Sequence, residues 1–472
     1  MANDGMKMTP QPLPNHPIFE FKSLGTSDWW QQLNRYGTPL LTVQDQQVNC
    51  IFIWQKKQAN AQVWIDVYCQ SAQKSSPWQA MQCIAGTDIA FYQVSLSAET
   101  TTSYVMLETT VTYPAHAAPM QQRAWWRQQL VNAGIDPHNP EPSYQSSLLH
   151  WINQVHLPLR LLQQTHDAST PSPQHSDIKQ NDIEKLYVEQ NMTWQSQALQ
   201  RDYPLTVYLP LEKTRIAQWI VLLDGQIWHQ HALGLNATFN EYFQILASQN
   251  SNCTTAILLL HSSVERRVID YGCHYAFSHA LAHDLVIDVQ QQLQIQQATL
   301  QQNAQIDFAS DHQLLLAGQS LSGLCALYSQ LHFPEKIHSV IAQSPSLWWH
   351  DFQHSQPKPA APSCSTLPRS KSIQHFNDYW FEHCAQPQAS DCSTKISTGA
   401  RKILLSAGRY ETDMLQDSIQ FNQLFQQFAA KQIEVTAPRD ELDFQTFCGG
   451  HDPVSWGQHL STLLLQHAVA TH

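Results

Sequence analysis

The chain has 472 residues, with 26 Lys and Arg against 38 Asp and Glu, for a formal net charge of −12. That length calls for two domains, and that charge argues against nucleic acid as a partner. Any anionic substrate would need a local basic pocket working against the overall field. No run of about 20 apolar residues is present, so no membrane-spanning helix is expected. The segment Met1 to Met8 lacks the apolar centre of a signal peptide, so a cytoplasmic location is expected. The 10 cysteines form no Cys-x-x-Cys pair and no zinc spacing, and most are expected to be free thiols. Cys364, Cys384 and Cys392 share one polar stretch and are the disulfide candidates.

In chain order, Val48–Trp54, Ala61–Tyr68, Asp88–Leu96 and Thr102–Thr110 read as short strands separated by turn residues. They predict a small antiparallel β-sandwich, a binding or shaping module without a catalytic cluster. Arg123–Arg127 suits a short helix, whereas the prolines in Asp136–Pro142 forbid one. Residues 161–182, rich in Pro, Ser and His, read as a linker between a domain at 1–160 and another at 183–472. From there the pattern alternates strand and helix. An opening hairpin is expected at Ile183–Asn191 and Gln195–Tyr208. Apolar strands follow at Trp219–Leu223, Ala256–Leu260, Leu314–Ala317, Ser339–Ala342 and Ile403–Ala407. Helices are expected at Tyr275–Gln292 and Met414–Lys431. Apolar strands alternating with amphipathic helices predict an α/β, doubly wound, mostly parallel sheet. The Gln-rich piece Gln290–Gln305 and the insertion Phe352–Ala400 read as surface loops or lids.

The chemistry centres on Leu314–Tyr328. An apolar strand turns sharply at Gly318-Gln319-Ser320-Leu321-Ser322-Gly323 and continues as an apolar helix. Strand, tight turn, Ser and helix is the layout of a nucleophile elbow, which lifts the Ser320 hydroxyl above the sheet and aims the Leu321 N–H at the same point. A base is expected after the last strand, where Gly449-Gly450-His451 leaves an imidazole free to reach the sheet top. An orienting acid should follow the strand ending at Ala407. Glu411 is the first choice and Asp413 the alternate, although both acids could simply cap the helix beginning near Met414. A second oxyanion donor is expected at Asp224-Gly225-Gln226, with Gly225 taking an unusual backbone angle so that the Gln226 N–H faces the site.

Taken together, several motifs resemble the enterochelin (enterobactin) esterases, the enzymes that hydrolyse ferric catecholate siderophores. The matching segments are Val221–Trp228, Ala317–Tyr328, Phe333-Pro334-Glu335, Gln343–Trp349 and Gly449–Trp456. Gly86–Asp88 and Asp136–Asn139 resemble the N-terminal domain of that family. The resemblance implies a serine esterase of α/β-hydrolase fold preceded by a β-sandwich. It implies Ser320 as nucleophile, His451 as base, and a substrate built on a trilactone of serine. Three departures stand out. Ser322 replaces a glycine, Asp270 a glutamate and His274 an asparagine.

A ferric tricatecholate is anionic and aromatic. Arg267, with Arg266 beside it, is expected to offset its charge, and Trp228, Trp348 and Trp349 are candidates for apolar walls. Iron would arrive with the substrate, so no cofactor and no metal ligand set is expected. The rival readings are a general carboxylesterase with the same triad and a binding protein on an inactive hydrolase scaffold.

Overall fold

The computed structural model describes residues 12–70, 78–146, 150–166, 186–211, 215–230, 233, 235–249, 253–299, 306–349, 376, 379–381, 401–431 and 440–470. The chain divides into two compact units, 1–175 and 176–472.

In the first unit the strands are β1 Leu40–Gln44, β2 Gln47–Gln55, β3 Gln62–Val67, β4 Trp78–Ala80, β5 Gln82–Cys83, β6 Ile89–Ser97, β7 Thr101–Thr109, β8 Ala133–Gly134, β9 Tyr144–Gln145 and β10 Trp151–His156. They form two antiparallel sheets, β1-β2-β6-β5 and β4-β3-β7-β10-β9, with β8 added to β7. Helix α1, Ser27–Tyr36, precedes the first strand. Thr26 caps it by accepting the Trp29 N–H at 3.4 Å, and Gly37, at φ +70°, ends it. The helix buries Trp29, Trp30 and Leu33 against Ile51, Ile53 and Phe91 of the sheet. Each such side chain contributes roughly 1.5–3 kcal/mol through its burial.

Helix α2, Pro119–Gln129, contains Arg123–Arg127 and buries Trp125 and Trp126. The Trp126 ring stacks on Trp78 with centroids 5.1 Å apart. Asp136–Pro142 contains no helix. Buried Asp136 instead accepts from the hydroxyls of Thr38 (2.6 Å) and Tyr104 (2.8 Å) and from the His138 N–H (3.1 Å). Arg160, on helix α3 at Leu157–His166, donates to the Thr38 carbonyl at 2.7 Å. This helix runs through the start of the expected linker, the rest of which lies outside the described residues.

The second unit holds β11 Tyr187–Ser196, β12 Arg201–Pro210, β13 Arg215–Leu223, β14 Cys253–Leu260, β15 Asp307–Gln319, β16 Ile337–Gln343, β17 Lys402–Gly408 and β18 Glu441–Phe447. Its helices are α4 Gly225–Trp228, α5 Leu235–Ser248, α6 Val264–Tyr271, α7 Tyr275–His283, α8 Leu285–Thr299, α9 Leu321–His332, α10 Thr412–Lys431 and α11 Pro453–Ala470. The sheet order is β11-β12-β14-β13-β15-β16-β17-β18. The β11/β12/β14 pairs are antiparallel, and every pair from β14 to β18 is parallel. This is the doubly wound, mostly parallel sheet expected of an α/β hydrolase.

Side chains alternate between two cores. On β13, Trp219, Val221 and Leu223 join one core, whose helical side chains include Phe277 and Leu281 of α7, Leu324 of α9 and Phe421 of α10. Ile220 and Leu222 join the other, with Phe239 and Tyr242 of α5 and Leu460 and Leu464 of α11. A strand buried on both faces needs an unbroken apolar run, which is why Trp219–Leu223 carries no polar residue. The chain steps from β13 outward to β14 and then back across to β15. The carboxyl ends of β13 and β15 therefore flank a topological switch point, where α/β sheets bind their ligands.

Four expectations need correction. The hairpin turn falls at Gln197–Gln200 rather than at 192–194, with Gln200 at φ +53°. The stretch Gln290–Gln305 is not all loop, because α8 continues to Thr299; glutamine forms helix readily, and Val289 and Leu293 anchor one face. Within the insertion at 352–400, Phe376 and Trp380 are fully buried in the first core rather than on the surface. Tyr379 and Phe381 pack partly buried against the same core, and the rest of that insertion, with Cys364, Cys384 and Cys392, lies outside the described residues. Strand β18 went unread because its residues are mostly polar and only Phe447 is buried; pairing to β17 along its whole length recruits it. Among the described residues no helix is long and apolar enough to cross a membrane.

Candidate active site

Strand β15 ends at Gln319, and Ser320 turns the chain into α9 at φ +56° and ψ −119°. This is a costly backbone for a residue with a side chain. It is held by the Ser320 N–H donating to the Gln343 carbonyl (3.0 Å) and by the Ser320 carbonyl accepting from the N–H of Leu324 and of Ser346, both at 3.1 Å. The crossing is tight. A Cβ on Gly318 would lie 2.3 Å from the Ser322 carbonyl oxygen, so only glycine fits there. Ser322 fits where the resemblance leads one to expect glycine, because its hydroxyl turns back on Gln319, three residues earlier. It accepts from the Gln319 N–H and donates to the Gln319 carbonyl, each at 2.8 Å.

Three loops at the carboxyl edge of the sheet bring Ser320, His451 and Glu411 together. His451 Nε2 lies 3.0 Å from Ser320 Oγ. His451 Nδ1 lies 2.6 Å from Glu411 Oε1. The second carboxylate oxygen of Glu411 accepts from the Gly408 N–H at 2.7 Å and from the Ser344 hydroxyl. The Glu411 side chain is 2% exposed and that of His451 39%, so the array runs from the interior to solvent. An ionised carboxylate only accepts, so Nδ1 carries the imidazole proton and Nε2 is left to accept from the Ser320 hydroxyl. A serine in this setting can be deprotonated as it attacks a carbonyl.

Asp413, the alternate acid, is exposed in the first turn of α10, where a carboxylate suits the helix dipole. Asp452, beside His451, is buried and accepts from the Ser455 hydroxyl and the Val454 N–H, capping α11 and shaping the histidine loop. Close backbone approach completes that loop, since a Cβ on Gly408 would lie 2.5 Å from the Gly449 carbonyl.

Leu321 opens α9 and Gln226 lies in the first turn of α4, so neither N–H has an intrahelical acceptor. The left-handed angle at this second loop falls on Asp224 (φ +56°) and not on Gly225. Gly225 is required for a different reason, because a Cβ there would lie 2.7 Å from the Leu259 backbone carbonyl carbon. The Gln226 side chain clasps Ser262, accepting its N–H at 2.8 Å and donating to its hydroxyl at 2.9 Å.

The expected substrate-facing residues are placed differently. Arg267 donates from Nε and Nη2 to both oxygens of Asp224 at 2.8–3.0 Å, and from Nη2 to the Gln319 carbonyl at 3.4 Å. Asp224 is 1% exposed, and a buried carboxylate needs such a partner. The charge of Arg267 is thus largely compensated within the protein, and its guanidinium ties the end of β13 to the end of β15. Arg266 is likewise paired with Asp270 at 2.9 Å. Trp228 is a core residue, 1% exposed, with its indole N–H on the Leu223 carbonyl, and forms no pocket wall. Trp349 is partly buried against the first core at the end of α6, whereas Trp348 is 40% exposed. His274 caps α7 by accepting the Phe277 N–H at 3.1 Å, a role that asparagine also fills well. Sequence reading missed Ser344 and Ser346, the latter buried with its hydroxyl 3.4 Å from that of Ser320. The quoted segment Gln343–Trp349 was the available signal for both.

Among the described residues no group of three or more His, Cys, Asp or Glu side chains is arranged to hold a metal ion.

The esterase family model matches residues 196–467, more than half of the chain, and the model of the enterochelin esterase N-terminal domain matches 49–159. The iron(III) enterobactin esterase of Dickeya dadantii strain 3937 is 24% identical over 465 residues, covering 92% of this chain and 90% of that protein. The iron(III) enterobactin esterase of Escherichia coli O6:H1 strain CFT073 is 27% identical over 341 residues, covering 69% of this chain and 76% of that protein. The crystal structure of the enterobactin esterase from Shigella flexneri in the presence of enterobactin has a TM-score of 0.65 at 22% identity, covering 95% of this chain and 100% of that one. With an esterase match over the unit that carries the Ser–His–Glu array and an enterochelin esterase match over the unit before it, the chain belongs to the enterochelin esterase family of carboxylic ester hydrolases.

Proposed function

We propose that this protein hydrolyses the trilactone core of a ferric catecholate siderophore of the enterobactin type, with Ser320 as nucleophile. The unbroken Ser320–His451–Glu411 hydrogen-bond series carries the reading. Ser320 Oγ attacks a lactone carbonyl while His451 Nε2 takes its proton. The charge on the carbonyl oxygen develops between the N–H groups of Leu321 and Gln226, each worth about 3 kcal/mol in the transition state. Collapse expels the serine alkoxide of the opened ring, which takes the proton back from His451, and an acyl-enzyme remains on Ser320. Water, activated by the same imidazole, then releases a linear product and restores the serine. Glu411 holds the imidazole tautomer and offsets the imidazolium charge at each proton transfer. Iron enters as part of the substrate, and opening the ring weakens its chelation. The buried free thiols Cys50 and Cys325 fit a reducing compartment and hence the cytoplasm.

The pairing of Arg267 with Asp224 and of Arg266 with Asp270 favours a second reading, a general carboxylesterase, because it leaves little free positive charge for a polyanionic chelate. The test is product analysis with a ferric tricatecholate trilactone, with Ser320→Ala alongside. Linear trimer, dimer or monomer made by the wild type alone supports the siderophore reading. An intact trilactone beside cleaved small aryl esters moves the substrate to the second reading.

A further inference from the structure

Strand β16 ends at Gln343, and the next residue, Ser344, adopts φ +44°. Its N–H donates to the Ser406 carbonyl at 2.6 Å, fixing it beside the end of β17. Its hydroxyl reaches Glu411 Oε2, the oxygen turned away from His451, and also receives the indole N–H of Trp456 at 3.1 Å. The direction of these bonds is forced. An indole nitrogen can only donate, and an ionised carboxylate can only accept. Trp456 therefore occupies a lone pair on the Ser344 oxygen, and the hydroxyl proton is left to point at Glu411. Trp456 also packs edge-to-face with the His451 ring, centroids 4.6 Å apart and planes at 82°. Its carbonyl accepts from the Gln343 side-chain amide at 3.1 Å, tying it to the strand end that presents Ser344. One tryptophan thus touches both the imidazole and the hydroxyl that holds the carboxylate.

We infer that Ser344 and Trp456 are a positioning pair, which fixes the Glu411 carboxylate and the His451 ring in register for proton transfer. The inference rests on the proposed roles of Ser320, His451 and Glu411. The groups that hydrogen-bond the carboxylate are His451 from the loop after β18, the Gly408 N–H from β17 and Ser344 from the loop after β16. Removing Ser344 leaves Oε2 with one donor, and a carboxylate with fewer donors holds an imidazolium more tightly.

Ser344→Gly separates the hydroxyl from the backbone, because glycine adopts the left-handed angle at least as readily as serine. With p-nitrophenyl acetate, kcat should fall about ten-fold with KM nearly unchanged, as expected for losing a charge-assisted bond. The acid limb of kcat/KM should move to higher pH by about half a unit. Trp456→Phe keeps a ring on His451 but frees the Ser344 proton, and should produce a smaller shift of the limb in the same direction. If Ser344→Gly fails to fold, Trp456→Phe alone is read in the same way. Wild-type kcat and an unmoved acid limb in the folded variants overturn the pair while leaving the triad intact. A Ser320→Ala protein that still turns over removes the triad itself, so the two failures are distinguishable.

Discussion

Asp136 in the N-terminal unit and Glu411 in the C-terminal unit are 2% and 4% exposed, and each accepts from a serine or threonine hydroxyl and from a backbone N–H. They differ in where the network leads. From Asp136 it passes to the Thr38 hydroxyl and to Tyr104, whose hydroxyl accepts from the Asn139 amide. Every route ends on the fold itself, and burial pushes the Asp136 carboxyl above its usual range. From Glu411 the network passes to an imidazole and then to a hydroxyl at the surface. A buried carboxylate serves structure when its partners close on one another. It can serve chemistry when one of them remains open to a substrate.

Four experiments would break or sharpen that contrast. The largest effect belongs to the open end, where Ser320→Ala should lower kcat by about 10⁴-fold or more with the melting temperature preserved. Glu411→Gln should come next, at about 10³-fold in kcat, because an amide can present a donor to Nδ1 and favour the wrong tautomer. The corresponding change at the closed end, Asp136→Asn, should cost about 3 kcal/mol in the unfolding of its unit, because one acceptor oxygen is replaced by a donor among donors. Its kcat per folded molecule should stay at the wild-type value, and a fall there would break the contrast.

The smallest effect concerns His467, buried on α11 between Tyr242 and Gln218. Burial pushes its pKa from 6.5 down to about 4. The folded pKa lies below the unfolded one, so the unfolded chain binds more protons between them. The stability His467 supports is complete above about pH 6.5 and is lost as pH falls toward 4. Unfolding free energies from urea titrations at pH 7 and pH 5 should differ by about 2 kcal/mol from this group, and His467→Gln should flatten the difference.

What the sequence could and could not reveal follows from the range of the forces involved. The elbow was legible because it is local: Leu314–Ala317, Gly318 and Gly323 state strand, turn and crowding within ten residues. Glu411 was legible because it follows the end of β17, which an α/β sheet places on the same edge as the elbow, and His451 because it sits in a Gly-Gly loop in last place in the chain order. Arg267 was read as a free cation because nothing near it in the chain names Asp224, its partner 43 residues away. Trp228 was ambiguous because an indole suits a core and a pocket equally, and only the Leu223 carbonyl decides between them. The left-handed angle was given to Gly225 because glycine takes it most easily, yet Asp224 adopts it and Gly225 is needed for clearance. Strand β18 was hidden because its pairing, not its own residues, makes it a strand.

That last strand carries a consequence for endurance. Among the described residues β18 is one of the two edge strands of its sheet, paired on one side and burying only Phe447, yet it delivers His451 to a serine 131 positions earlier. Edge strands with few buried side chains detach in sub-global openings that cost far less than complete unfolding. Amide hydrogen exchange should therefore be faster along Glu441–Thr446 than along β13. At modest denaturant, turnover should vanish while the two cores are still intact. The lifetime of the working enzyme would then be set by its weakest strand and not by the global stability of its fold.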